Sequence, residues 1–454
     1  MARRDQLWLS FYGDDLTGST DALEQLTLAG VATRLFLEPP TPGQLRAFPG
    51  LQACGVAGLT RSLGRKELEQ TLKAALSRLR ALGAPHVHYK VCSTFDSSPT
   101  IGSIGRVIEV ATTVFPAPLV PLLAAAPGLG RYTVFGNHFA RYGIGSAGAI
   151  HRLDRHPAIS RHPVTPMREA DLRRHLAQQT GRGAALFDIL QLSLPPGPCR
   201  ASFKAMLAGK PAVVLFDALT AEHLTRIGGL IDGLGTRRKP LFSVGSSGIE
   251  AALCGHWRAS GRLAAPRRMP AKSRMVKQVL VGSGSCSPVT SGQIAWALKH
   301  GFAEVALDAV ALASPATAGR EQERATRRAV KWLQAGRSVV VHTTRRGGDT
   351  VIQGRLKDRT AEVLGTALGK ILLGAWRAQP TCRLCLAGGD TASFAARALG
   401  ITALAMVAPL VPGAPVCRAT AAAGPVGGGE IVFKGGQVGA ENFFETVRAG
   451  GKLL

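Results

Sequence analysis

Residues 384–401 read LCLAGGDTASFAARALGI, and the fold class turns on how this stretch is read. The apolar run Leu384 to Ala387 predicts a short buried strand, and Gly388 and Gly389 a tight turn. From Thr391 onward the spacing of Phe394, Ala395, Leu399 and Ile401 predicts a helix. The unit is strand, loop, helix, with the Asp390 carboxylate and the Thr391 hydroxyl at its mouth. In parallel sheets ligands sit at the carboxyl ends of strands, where helix N-termini aim bare N–H groups at anions such as phosphate. Taken alone, the stretch reads more simply as a glycine turn with Asp390 capping the helix.

The same alternation runs along the chain. Strands are expected at LWLSFYG (7–13), LQACGVAGL (51–59), HVHYKVC (86–92), RYTVFG (131–136), AALFDIL (184–190) and AVVLFDAL (212–219), with helical patterns between them at 66–82 and 221–233. After the basic, proline-containing stretch GRLAAPRRMPAKSR (261–274) the pattern restarts at KQVLVGSGSCS. It continues through AEVALD, SVVVHTT, RLCLAGG and LAMVAPL, with a long helix expected over 357–377. This predicts an α/β protein of two domains, each a mainly parallel sheet flanked by helices, with the active site in the cleft between them. The expected boundaries are 1–260, a linker at 261–275, and 276–454. A chain of 454 residues is too long for one ordinary core, and 46% hydrophobic residues suffice for two.

The formal charge of +26 raises the question of nucleic acid, but the basic residues are scattered and aromatics are only 6%. A solvated, arginine-rich surface that draws small anions is the expectation, with nucleic-acid binding disfavoured. Eight cysteines at this density do not make a disulfide framework. The pair in TCRLCL lies on an expected core strand and reads as buried thiols with no metal. Pro116, Pro118 and Pro121 break the apolar region 110–126, which argues against a membrane helix, and a cytoplasmic protein is expected.

Several strand-end loops carry chemistry. In YGDDLTGSTDA, Asp14 and Asp15 are adjacent. Two such carboxylates can bind a polyol, or one can take a hydroxyl proton while the other orients it; helix capping accounts for one of them more easily than for both. YKVCSTFDSSPTIGSIG (89–105) gathers Lys90, Ser93, Thr94 and Asp96, which suits a small oxygen-rich acid, and Arg61 in GLTRS offers a second cation. Further on, VGSGSCSPVT (281–290), with Ser283, Gly284 and Ser285, has backbone N–H groups to cradle phosphate. GPVGGGEIVFKGGQVGAENFFE (424–445) adds two glycine clusters around Lys434 and Gly435. Three glycine-rich loops in one domain favour nucleotide phosphates, with hairpin turns as the plainer account of the last.

Assembled, these motifs resemble the four-carbon acid sugar kinases, whose members act on 3-oxo-tetronate, D-threonate and D-erythronate. The likeness runs nearly end to end, through GDDLTGSTD, YKVCSTFDSSPTIGSIG, HPVTPM (162–167), FDALTAEHL (216–224), GSGSCSPVT, AGGDTASFAARALGI and VPGAPV (411–416). It implies an N-terminal acid-sugar domain and a C-terminal nucleotide domain, with ATP and Mg2+ as cofactors. By motif, Asp14, Asp15, Arg61, Lys90, Ser93, Thr94 and Asp96 fall on the substrate side. Ser283, Gly388, Gly389, Asp390, Thr391 and Gly413 fall on the nucleotide side, Asp390 near the magnesium. The expected partners are a small acid sugar and ATP, with no membrane, and there is room for a homodimer. The catalytic set would be Asp15 as base for a terminal hydroxyl, with Asp14 and Lys90, and with Lys90 and Arg61 holding the carboxylate.

Three departures bear on the substrate. Asp390 stands where the family usually has glutamate, and KGGQVG stands where it often has KSGNFG. The segment 134–164 differs from that of the 3-oxo-tetronate kinases and puts His138 and Arg141 in a substrate loop. A branched substrate such as 3-oxo-isoapionate therefore stays open, as does a non-catalytic sugar-acid or nucleic-acid binder motivated by the charge.

Overall fold

The computed structural model describes residues 6–116, 119–142, 148–162, 164–265, 269–343, 359–380, 382–421 and 426–451. Two compact units emerge. The first takes the described residues up to Asp14, from Gln25 to Tyr142, and on to residue 265; the second takes Asp15–Glu24 and everything from residue 269. The acidic stretch is thus divided between Asp14 and Asp15.

In the first unit the strands are β1 (Leu9–Gly13), β2 (Thr33–Phe36), β3 (Ala53–Ala57), β4 (His86–Lys90), β5 (Val120–Leu123), β6 (Arg131–Val134), β7 (Asn137–Arg141), β8 (Ile150–Arg152), β9 (Ala184–Phe187), β10 (Val213–Phe216) and β11 (Leu241–Gly245). Eight of them form a sheet in the order β2-β3-β1-β4-β11-β5-β10-β9, with every pairing parallel. Burial at every position of β1, β3, β4 and β11 explains why their sequences run apolar without alternating. The flanking helix Arg65–Ala81 shows how the layers are held: Leu68, Leu72, Ala75, Leu76 and Leu79 recur at helical spacing and are buried. Burying each leucine stabilises the unit by about 1.5–3 kcal/mol, so Leu72→Ala would be among the costlier single changes.

One expected strand of the main sheet lies elsewhere. Residues 131–134 pair antiparallel with β7, and β7 with β8, in a separate three-stranded sheet. The cause is a two-residue turn at Phe135 and Gly136, both left-handed at φ 48° and 80°. A phenylalanine there is no ordinary turn signal, and it is held by Asp217, whose carboxylate accepts the N–H groups of Phe135 (2.6 Å) and Gly136 (3.0 Å).

The second unit contains β12 (Val279–Ser283), β13 (Ala303–Ala306), β14 (Val339–His342), β15 (Arg383–Ala387), β16 (Ile401–Val411), β17 (Ala414–Ala421) and β18 (Glu430–Lys434). Their order is β13-β14-β12-β15-β18-β17-β16. The first five are parallel, whereas β16, β17 and β18 pair antiparallel. The expected strand LAMVAPL is therefore one arm of a hairpin that turns at Pro412 and Gly413, the glycine at φ 80°. The expected long helix runs Thr360–Ala378; positions 357 and 358 lie outside the described residues. Cys382 and Cys385 are buried, and burial pushes both thiols up to about 12. Among the described residues, no helix is long and apolar enough to cross a membrane.

Candidate active site

In each unit the chain changes direction across the sheet at its first strand. In the first unit the chain passes from β1 outward to β2, back to β3, and then to β4 on the other side of β1. Open α/β sheets bind ligands at such a point, beyond the carboxyl ends of the strands. Here that position holds the loops after β1, β3 and β4. Backbone bonds tie them together: Asp14 N–H to Lys90 O (2.9 Å), Gly58 N–H to Gly13 O (2.8 Å) and Arg61 N–H to Asp14 O (3.1 Å).

The side chains then pair. Arg61 donates through Nε and Nη2 to the two Asp14 oxygens at 3.0 and 2.7 Å, a bidentate fork that fixes the guanidinium plane. Lys90 is buried and donates to Val91 O at 3.0 Å. Thr94 Oγ1 donates to Asp96 Oδ1 at 2.7 Å. Burial alone would raise the Asp96 carboxyl, but His162, Arg61 and hydrogen bonds from Thr94 and Cys92 hold it below its ordinary value. Between Thr94 and Asp96, Phe95 is buried with a left-handed backbone at φ 58°, a strain that over-determined packing has to sustain.

His138 is buried, and burial drives its ring down to about 4. Neutral, it donates from Nε2 to Ser93 O at 2.8 Å and accepts the Thr133 hydroxyl at Nδ1 at 2.9 Å. It braces the Ser93 loop from behind. Arg141 donates to Gly148 O at 2.8 Å. Sequence reasoning passed over His162, whose Nδ1 accepts the Thr165 N–H at 3.1 Å and whose charge bears on Asp96. The quoted HPVTPM motif was its signal.

The second unit repeats the reversal. The chain runs β12, β13, β14 and then β15 on the far side of β12, with β18 next to β15. The loops beyond β12, β15 and β18 are the three glycine-rich stretches, brought together. Gly284 N–H bonds Ala387 O (3.1 Å) and Gly388 N–H bonds Lys434 O (2.9 Å). A Cβ on Gly284 would stand 2.6 Å from the Thr391 side chain, and one on Gly388, at φ 130°, would stand 2.7 Å from Thr391 Oγ1. Both positions exclude a side chain.

Asp15 belongs to this second cluster. Its Oδ1 accepts Gly18 N–H at 2.7 Å and its Oδ2 accepts the Thr17 hydroxyl at 2.6 Å, so it does cap the helix Leu16–Leu28. It also faces the GGDT loop, since a Cβ on Gly389 would lie 3.3 Å from Oδ2. Ser393, buried, fixes this approach by accepting Leu16 N–H at 3.2 Å. Asp390 opens the helix Asp390–Ala398. Gly413 lies at the hairpin turn and donates to the buried carboxyl group of Glu24 at 2.7 Å.

Lys434 closes β18, fully buried, and donates to Thr290 Oγ1 (2.9 Å), Gly435 O (2.9 Å) and, longer, Gly436 O (3.4 Å). Burial lowers its ammonium to about 7. Ser287 Oγ and Thr290 Oγ1 also donate to Gly436 O, at 2.8 and 3.3 Å. Gln293, another residue that sequence reasoning passed over, donates from Nε2 to the carbonyls of Val438, Gly439 and Ala440 at 2.9–3.0 Å. Its signal is a polar residue on the face of Ile294 and Ala297, buried with them.

Residues 9–253 match the family model of a sugar-binding N-terminal domain, and residues 280–444 that of a nucleotide-binding C-terminal domain. The chain is 42% identical to a 3-oxo-isoapionate kinase of Paraburkholderia graminis, covering 98% of this chain and 94% of the relative. It is 30% identical to a 3-oxo-tetronate kinase of Methylobacterium radiotolerans, covering 96% and 98%. In fold it is similar to crystal structures of a Salmonella typhimurium protein (TM-score 0.74, 23% identity, 97% of this chain and 98% of that one) and a Haemophilus influenzae protein (TM-score 0.65, 21% identity, 97% and 99%). With a sugar-binding domain ending in paired charges and a nucleotide-binding domain ending in three glycine loops, the chain belongs to the acid sugar kinase family.

Proposed function

We propose that this protein transfers the γ-phosphoryl group of ATP to a terminal hydroxyl of a branched acid sugar of the 3-oxo-isoapionate type. The observation that carries the substrate is 42% identity to a 3-oxo-isoapionate kinase across 98% of the chain, against 30% to the 3-oxo-tetronate kinase above. A four-carbon 3-oxo-tetronate is the second substrate to test, because the family's unbranched members share the same motifs. Within the first unit, Asp14, Arg61, Lys90, Ser93, Thr94 and Asp96 would hold the sugar acid, with His138 acting through Ser93. Arg61 and Lys90 supply the cations for the substrate carboxylate, and Asp14 keeps the Arg61 fork in one plane.

In the second unit the loops of Ser283–Ser285, Gly388–Thr391 and Gly435 onward would take the ATP phosphates on backbone N–H groups. Asp15 would accept the proton of the attacking hydroxyl, held for that task by Gly18 N–H, the Thr17 hydroxyl and the Ser393 contact. Among the described residues, no three His, Cys, Asp or Glu side chains gather as a metal site. Mg2+ is commonly bound through one or two carboxylates and the phosphates themselves. Asp390 would hold it, and the ion would supply charge neutralisation. Phosphoryl transfer otherwise asks for positioning, which these loops provide. A homodimer is part of this proposal, to be read by size-exclusion chromatography with light scattering.

The deciding experiment is coupled ADP release with ATP and magnesium against 3-oxo-isoapionate, 3-oxo-tetronates, threonates and D-erythronate. The expected result is the highest kcat/KM on 3-oxo-isoapionate. Preference for a four-carbon acid would overturn the substrate assignment, and no turnover with any of them would overturn the kinase reading.

A further inference from the structure

The peptide group is planar and trans, so the carbonyl of one residue and the N–H of the next point in opposite directions. In the loop after β18 the carbonyls of Gly435, Gly436, Val438, Gly439 and Ala440 are all drawn toward donors. Apart from Lys434 and the N–H groups of Val438 and Phe443, those donors are Ser287, Thr290 and Gln293, on or just before the helix Pro288–Lys299. The amides of Gln437, Gly439, Ala440 and Glu441 are therefore turned away from the helix. None of them donates to an acceptor among the described residues. Successive N–H groups turned to one side form an anion-binding concavity.

Gln293 contributes most to this arrangement. Its side chain is fully buried, and three carbonyl oxygens within 3.0 Å of one terminal atom identify that atom as the amide nitrogen. We infer that Gln293 is a positioning residue for ATP: by drawing in the carbonyl edge of residues 438–440 it exposes the amide edge of the same loop to the polyphosphate. It would touch no ligand itself. This inference rests on the kinase reading above and adds to it the residue that shapes the third phosphate loop.

Gln293→Leu keeps the volume of the side chain and removes its donors; Gln293→Glu replaces the donors with a carboxylate facing the same carbonyls. The expected result for either folded variant is an ATP KM raised ~10-fold or more, with the acid-sugar KM within about twofold of wild type. A folded Gln293→Leu protein with an unchanged ATP KM would overturn the inference. Should both variants fail to fold, hydrogen exchange on the wild-type protein with and without ATP decides. Protection of the amides of 437–441 is expected. Protection confined to 283–287 and 388–391 would overturn the role of this loop and leave the kinase reading standing, whereas absence of ATP binding would remove both.

Discussion

The two units share one strand plan and build different ends on it. The order β2-β3-β1-β4 in the first and β13-β14-β12-β15 in the second puts the point at which open α/β sheets bind ligands at the same place in both. In the first unit that point is lined by charged side chains that hold one another, above all Asp14 and Arg61. In the second it is lined by backbone, whose carbonyls are held by neutral donors around one buried lysine. The contrast suits the two ligands. A small acid sugar is distinguished by the positions of its hydroxyls and carboxylate, which directed side chains can read. A triphosphate asks for many N–H donors at close range, and only glycine lets the chain approach that closely.

The sharpest way to break this comparison is at Asp15, where the acidic motif crosses into the glycine-loop cluster. Asp15→Asn keeps acceptor oxygen for the cap and removes the proposed base, so kcat should fall by about 10²–10⁴ while both KM values stay near wild type. Unchanged turnover in a steady-state assay would remove Asp15 from the chemistry and leave it as a helix cap.

The next effect separates the two linings. Gly388→Ala puts a Cβ 2.7 Å from Thr391 Oγ1 at a φ of 130°, so the loop must shift. The ATP KM should rise by about 10–100-fold, with the acid-sugar KM unchanged. Gly292→Ala is the control, since nothing lies within 4 Å of its added Cβ, and it should raise stability by about 0.5–1 kcal/mol. Arg61→Lys should do the reverse of Gly388→Ala. Lysine cannot reproduce the bidentate fork on Asp14, so the acid-sugar KM should rise about tenfold with the ATP KM unmoved. Movement of both constants in either variant would mean that the linings are not specialised.

What could be read from the chain follows the range of the interactions. The alternation of buried strands and helices, the acidic loop and the glycine loops are each written within a dozen residues. The residues that hold them together are not. Ser393 accepts from Leu16 across 377 positions, and Gln293 reaches Val438 across 145. No local pattern marks such a partner; only a polar residue on an apolar helix face hints at one. The hairpin of β6 and β7 was hidden for the same reason, since the acceptor that allows Phe135 its left-handed backbone is Asp217, 82 positions away. His138 was placed in a substrate loop by its neighbours in sequence. Its burial against Ser93 and Thr133, which makes it a brace, needs the fold.

The smallest effect on turnover should come from Glu24, where the comparison is tested through pH. Burial raises this carboxyl from about 4.5 to about 8; Gly413 N–H opposes the shift and Asp21 adds to it. Between those values the folded chain holds a proton that the unfolded chain has released. Stability contributed by this group is therefore complete below about pH 4.5 and is lost as pH rises through 8. Because buried histidines such as His138 act in the opposite sense over the same range, the test is a difference: relative to Glu24→Gln, the wild-type urea midpoint should fall between pH 5.5 and 7.5 by the equivalent of about 1–2 kcal/mol. Glu24→Gln keeps an acceptor for Gly413 and cannot titrate, so the difference isolates this one group, with kcat close to wild type. A difference that stays constant over this range would mean that Glu24 is ionised in the fold, and that the hairpin turn at Gly413 is held by a charge instead of a neutral acid.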